Sequence, residues 1–244
     1  MEISFTRYRI YRECPWKYKL IFVDGRRIPL NPKSSFGLSV HRALETWLPG
    51  GDDSMEALFG ALHARWISDG YPDEATETRW YAKAERALAR FHGAESSRRA
   101  RLIGVEKEFV WTLGRHEVRG MIDRIDQSPD GAYELIDYKT GPGAPTIEQV
   151  SRDIQMRFYA LGAYRALGFR AATLTMDCVT AGVRVSAPCD SSGEEDLAAD
   201  ISAAATAVEA GSFAPDTRYC ARCDFRNDCA HSTARSARRW RSGA

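Results

Sequence analysis

The sequence predicts an α/β (α+β) fold, and three observations predict it. Apolar residues in the first hundred positions recur at helical spacing, the period shortens to that of strands from Gly104, and helical and strand patterns alternate after Gly143. At 244 residues and 44% hydrophobic, the chain can bury a sizeable core as a single domain.

The opening ISFTRYRIYRECPWKYKLIFVDG offers Ser4 or Thr6 as a helix cap, followed by a helix of recurring aromatic residues that Pro15 interrupts. Ile28 to Pro32 reads as extended, and SSFGLSVHRALETWLPGG as a helix from near Ser35 that stops before Pro49 and Gly50. Two more helices are expected at about 54–69 and 73–97, with Pro72 at the start of the second. VEKEFVWTL, HEVRGMIDRIDQ and YELIDYKT are rich in β-branched and aromatic residues and are separated by GR and SPDG, which predicts an antiparallel three-strand meander. A helix from about Thr146 to Leu167 should follow, then strands ATLTMDCVT and VRVSA, then an Ala-rich helix at about 193–210. The pattern divides the chain into a mainly helical 1–100, a core 101–210 and a Cys- and Arg-rich 211–244.

No apolar run approaches 18 residues, and no basic start leads into an apolar stretch with a cleavage site. The expectation is a cytoplasmic chain with no membrane partner. The formal net charge of +1 hides an asymmetry: residues 1–33 carry +5, residues 218–244 carry +5, and the middle carries −9. Basic ends suit a polyanion and an acidic middle suits a cation, although frayed, solvated termini would give the same count.

The stretch GMIDRIDQSPDGAYELIDYKTG places Asp123 and Asp137 on neighbouring strands, with Lys139 on the same face as Asp137 and Tyr138 on the opposite one. Two carboxylates meeting on a sheet, with a backbone carbonyl, form a hard-oxygen site suited to Mg²⁺ or Mn²⁺. A lysine beside it can orient or help deprotonate water and can offset charge at phosphorus. An isolated D-x-K is also what an exposed hairpin with ordinary ion pairs looks like, each worth about 0 to 1 kcal/mol.

Taken together, these motifs resemble the PD-(D/E)XK nuclease superfamily, in particular its RecB-like branch. GMIDRID is similar to that branch's G-x-x-D-R-x-D element and IDYKTG to its D-Y-K-T-G element; FGLSVHRALETW resembles its G-x-x-x-H helix and DIQMRFYALGAY its Q-x-x-x-Y helix. The resemblance implies a restriction-endonuclease-like core with a central mixed sheet flanked by helices. It further implies that Asp123 and Asp137 bind the catalytic metal with His41 and the main-chain carbonyl of Tyr138, and that Lys139 is the catalytic lysine. Gln155 and Tyr159, four apart on one helix face, would position that lysine or the DNA backbone. Glu106 is a weaker candidate for a supporting or second-metal role. Asp137 stands where many superfamily members have Glu, and either carboxylate can ligate.

Six cysteines without a secretory signal do not suggest disulfides. Cys220, Cys223 and Cys229 lie in CARCDFRNDC, and Cys14 in RECPWKYK. Four thiolates can hold a [4Fe-4S] cluster or a structural Zn²⁺. One distant cysteine plus a C-x2-C-x5-C run resembles the iron-sulfur RecB-like nucleases, AddB-type and CRISPR-associated members among them, and favours the cluster as a structural staple. Cys178 reads as a small buried apolar residue, and Cys189 fits neither spacing. Joining the two ends would assemble a basic surface for DNA, with Arg7, Arg9, Arg12, Lys17 and Lys19 from the N-terminal part, the C-terminal arginines, and Arg124 nearer the acids.

The expected function is a Mg²⁺- or Mn²⁺-dependent DNA nuclease, an exonuclease on single-stranded or frayed DNA ends. A non-catalytic DNA-binding scaffold of the same fold and an RNA-directed nuclease are the alternatives. Helicase, CRISPR-adaptation and repair proteins are the partner classes the resemblance implies.

Overall fold

The structure is a computed structural model that describes residues 1–234. Arg235, Arg238, Arg239 and Arg241, four of the arginines behind the C-terminal positive charge, lie outside the described residues. The chain divides into two compact units, a smaller one made of Met1–Ile28, Leu113–Glu117 and the chain from Ala198, and a larger one made of Pro29–Thr112 and Val118–Leu197.

In the smaller unit, strand β1 (Glu2–Ser4) runs into helix α1 (Phe5–Glu13). Of the two expected caps it is Ser4 that serves, its hydroxyl accepting from the Arg7 N–H at 3.3 Å. Helix α2 (Pro15–Tyr18) continues into a wider turn over Lys19–Val23. Between the helices Cys14 is extended, φ −164° and ψ 110°, because the proline ring that follows excludes the helical region from the residue before it. Ile3, Phe5, Tyr8, Ile10, Tyr18 and Leu20 form the buried side of this segment.

The larger unit opens with three helices, α3 (Pro32–Trp47), α4 (Met55–Arg65) and α5 (Glu74–Glu95). Each has a side-chain cap the local sequence supplies: Asn31 before Pro32, Ser54 and Asp73. α3 therefore starts three residues earlier than Ser35, since Asn31 and Ser34 form a reciprocal capping box. Phe36, Val40, Leu44, Leu58, Leu62, Leu88 and Phe91 interdigitate into one core with Ile136, Tyr138 and Val179.

Strands β2 (Arg101–Leu113), β3 (His116–Gln127) and β4 (Tyr133–Tyr138) realise the expected meander, with the Gly114–Arg115 turn between the first two. β3 and β4 are antiparallel, with Arg124 paired to Ile136. The chain then crosses over and returns as β5 (Ala171–Cys178) parallel to β4, with β6 (Val183–Pro188) antiparallel at the far edge. The unit is thus a mixed sheet flanked by helices. Its crossover is not the single helix predicted for Thr146–Leu167. It is α6 (Ile147–Ser151), a break at Arg152–Asp153, α7 (Ile154–Gly162) and a wider turn to Leu167 that ends at left-handed Gly168. Asp153 causes the break, because its carboxylate accepts from the Gln155 and Met156 N–H groups and so starts a new helix. The Ala-rich helix α8 (Glu194–Glu209) buries Leu197, Ala198, Ile201, Ala204 and Ala205.

Two glycines let the Phe109 ring seat itself between β3 and α7. A Cβ at Gly120 or at Gly162 would fall 2.3 Å from ring carbons of Phe109. Gly120 is the first residue of the G-x-x-D-R-x-D element, so its role is close approach. Gly162→Ala is expected to lower unfolding free energy by about 1–3 kcal/mol through overpacking. Gly60→Ala, in α4 with open space at its Cβ, should instead add about 0.5–1 kcal/mol; denaturant titration of the two variants checks both signs.

Candidate active site

Alternation along β4 sends Ile136 and Tyr138 into the helical core and Asp137 to the other side of the sheet. One step beyond the Arg124–Ile136 pair, Asp123 stands across from Asp137, and its Oδ2 accepts the Tyr138 N–H at 2.8 Å. Both carboxylates are buried, at 8% and 2% exposure. Lys139 leaves the end of β4, its N–H tied to the Asp177 carbonyl at 2.8 Å. Its Nζ lies 2.5 Å from Asp137 Oδ2 and donates to Gln155 Oε1 at 2.9 Å. Gln155 Nε2 in turn donates to the Tyr159 hydroxyl at 2.9 Å, one helical turn along α7. Asp137, Lys139, Gln155 and Tyr159 therefore form one continuous polar chain.

α3 brings His41 from the helical side. Its Nε2 lies 2.9 Å from the Tyr138 carbonyl oxygen and its Nδ1 3.4 Å from Asp123 Oδ2. Close passage of α3 is possible because Gly37, one turn before His41, lacks a Cβ that would sit 3.0 Å from Thr140 Oγ1. The spacing G-x-x-x-H thus has a geometric cause.

Glu106 on β2 is more central than its weak sequence signal implies. Ligand atoms of His41, Glu106 and Asp123 all lie within 4.8 Å of one another. Glu106 also has φ +44°, the single non-glycine positive φ among the described residues, so the strand reverses its local handedness where this side chain is presented. Burial, then the charge of Asp123, pushes its carboxyl up to about 7. Burial and Asp123 also push the Asp137 carboxyl up, against the pull of Lys139. Crowded carboxyls that resist ionisation, with one imidazole nitrogen among them, are a donor set that fits a hard divalent cation.

The model of the PD-(D/E)XK nuclease superfamily matches residues 2–230. The chain belongs to that superfamily. Among solved structures, one from Eubacterium rectale named "Putative exonuclease" is 13% identical, with a TM-score of 0.57 over 100% of this chain and 94% of its own. A second, of SSO0001, is 15% identical over 92% of this chain and 95% of its own, at a TM-score of 0.37 that supports no argument. No curated protein matches significantly.

In this PD-(D/E)XK nuclease Arg124 is not available to DNA, contrary to expectation. It is 2% exposed, donates from Nε to Asp126 Oδ1 at 2.7 Å, and pairs with Glu95 at 2.5 Å. Glu95 also holds Arg184, which pairs with Asp177, and Asp126 also holds Arg98, which reaches Glu134. Residues adjacent on a strand face opposite ways, so Arg124 points away from the side that presents Asp123. That alternation was the sequence signal against it.

Arg7, Arg12, Lys17 and Lys19 lie in the smaller unit, and each has an internal partner. Arg7 donates to the Tyr18 hydroxyl at 3.2 Å and covers the Phe22 ring; exposed Arg12 pairs with Asp200, and Lys19 with Asp24. Lys17 is held by Glu13 and Asp224 and is only 12% exposed, so it too is withdrawn from phosphate. Cys14, Cys220, Cys223 and Cys229 line one cavity of about 250 Å³ within this unit. Cys178 is buried in β5, and Cys189 is half-buried after β6. Among the described residues no helix is long and apolar enough to cross a membrane.

Arg124→Gln should cost about 3–5 kcal/mol of stability, because Glu95 and Asp126 would be left buried without their cation; urea unfolding measures it. Protons compete with a metal for Glu106 and Asp137, whose carboxyls ionise late. The rise in melting temperature on adding Mn²⁺ should therefore grow from about pH 5 to about pH 8, read by thermal melts at fixed Mn²⁺.

Proposed function

We propose that the chain is a divalent-metal-dependent deoxyribonuclease of the RecB-like branch, acting as an exonuclease on single-stranded or frayed DNA ends. The observation that carries this reading is that Lys139 is braced between Asp137 and Gln155 beside the cluster of His41, Glu106 and Asp123. Superfamily membership supplies the reaction class, phosphodiester hydrolysis. The exonuclease mode follows from the RecB-like resemblance, and the name of the Eubacterium rectale structure points the same way.

His41, Asp123, Asp137 and the Tyr138 carbonyl would hold Mg²⁺ or Mn²⁺, with Glu106 at the side of the same group. When bound, the ion would supply positive charge to offset that building on the phosphoryl oxygens and would acidify the attacking water. The chain's own residues orient the reaction. An ammonium has three N–H donors; Lys139 gives one to Gln155 and is ion-paired with Asp137, which leaves donor capacity for a phosphoryl oxygen or the incoming water. The ammonium, a donor only, turns the Gln155 amide oxygen toward itself, and the amide nitrogen then donates to the Tyr159 hydroxyl. As the bond from water oxygen to phosphorus forms and the ester P–O bond breaks, the departing oxygen takes up the proton that water gives away.

For the cysteines we favour a [4Fe-4S] cluster over zinc. Their spacing, one distant cysteine with a C-x2-C-x5-C run, resembles that of the iron-sulfur RecB-like nucleases, and all four line one cavity.

Incubation of end-labelled single-stranded DNA, duplex DNA and RNA with Mg²⁺ or Mn²⁺ tests the reading. DNA cleavage that stops with EDTA, and falls by at least about 10²-fold in Asp123→Ala and Lys139→Ala, is the expected outcome. Cleavage that survives both substitutions sinks it, and preferential loss of the RNA substrate would reassign the enzyme as a ribonuclease.

A further inference from the structure

The cavity bounded by the four cysteines has a feature that its ligands do not require. Lys17, one turn after Glu13, places Nζ 2.9 Å from Asp224 Oδ2 and 3.5 Å from Glu13 Oε2. Glu13 immediately precedes Cys14, and Asp224 immediately follows Cys223. One ammonium thus spans the two stretches of chain that carry the thiols, which lie more than two hundred positions apart in sequence. It also lines the cavity itself, together with Arg9, Arg222 and Arg226. Those arginines are more exposed than Lys17, whose side chain is 12% accessible, so the lysine charge is the least screened by solvent.

We propose that Lys17 is the electrostatic latch and counter-charge of the four-cysteine centre. The proposal rests on the reading of these cysteines as ligands of an iron-sulfur cluster. A cluster on four thiolates is an anion and gains a further negative charge on one-electron reduction, so a nearby cation favours the reduced form and raises the reduction potential. Without the ammonium, Glu13 keeps Arg9 but Asp224 loses its cation, and no charge bridges the two carboxylates beside the thiols. The centre then loses both its bridge and its compensation. Neutralising Asp224 breaks the same bridge yet removes a negative charge, so the two effects separate by sign.

The test uses the full chain purified without oxygen, with iron and acid-labile sulfide counted, the midpoint potential read by EPR during reductive titration, and iron loss followed under a chelator. Lys17→Met should lose iron several-fold faster and titrate at a more negative potential, with Lys17→Arg restoring most of both. Asp224→Asn should also lose iron faster but titrate at a less negative potential than wild type. A loaded Lys17→Met chain with wild-type potential and iron retention overturns the proposal while leaving the cluster reading intact. Wild-type chain that carries no iron overturns the cluster reading and this proposal with it. If Lys17→Met does not fold, an unchanged midpoint in Asp224→Asn overturns the counter-charge on its own.

Discussion

The larger unit is organised around an electrostatic conflict: Asp123, Asp137 and Glu106 are gathered where water is mostly excluded, and burial together with the charge of Asp123 raises the cost of ionising Glu106 and Asp137. Lys139 offsets part of that charge and His41 approaches from the other side, but three acids against one ammonium leave an excess of negative charge. A fold keeps such an excess when a cation completes the group. The consequence reaches outward, because every element that brings a member of the cluster must be placed closely. β3 and β4 do so through antiparallel register, α3 through the missing side chain of Gly37, and β2 through a reversed backbone at Glu106.

The opposite side of the same sheet handles charge differently. Arg124, Arg98 and Arg184 interleave with Glu95, Asp126, Asp177 and Glu134, so nearly every buried carboxylate there has a guanidinium. Arginine suits this role, since its forked donors reach two acids at once and it keeps its charge when buried. Within D-R-x-D, therefore, the first aspartate faces the acidic cluster, and the arginine and second aspartate belong to the scaffold that fixes its strand. Adjacent residues with opposite duties follow directly from the two-residue period of a strand.

That period also explains how much was legible beforehand. Asp137 and Lys139 on one face, Tyr138 on the other, and Gln155 four residues before Tyr159 are local spacings, and the mixed sheet follows from the order of local patterns. The G-x-x-x-H and G-x-x-D spacings could be matched as text, but the reason for Gly37 and Gly120 lies in Thr140 and Phe109, residues far away in sequence. Arg124 was misassigned because its positive charge was weighed and its strand parity was not. The break at Asp153 was missed because the apolar pattern runs through it, although Asp followed by helix formers is a cap signal. Glu106 was undervalued because its position depends on a backbone reversal that no local pattern announces.

The smaller unit raises a different problem. It is assembled from the first residues, a hairpin tip and the chain from Ala198, so the contacts that hold it close very long loops. Loop closure entropy rises only slowly with length, but it must be offset by something, and the apolar core available is short: Ile3, Phe5, Tyr8, Ile10, Tyr18 and Leu20, with Ile201, Ala204, Ala205 and Phe225. Polar ties carry part of the load, as in the Tyr8 hydroxyl and Arg12 guanidinium that share Asp200 and the Asp216 N–H that meets Cys14 Sγ at 3.3 Å. These are modest, since an exposed pair such as Arg12–Asp200 contributes about 0 to 1 kcal/mol. A small core drawn from distant segments is the circumstance in which proteins recruit a covalent or metal staple. Pro15, by forcing Cys14 out of the helix, presents a thiol to the cavity that the C-terminal cysteines share.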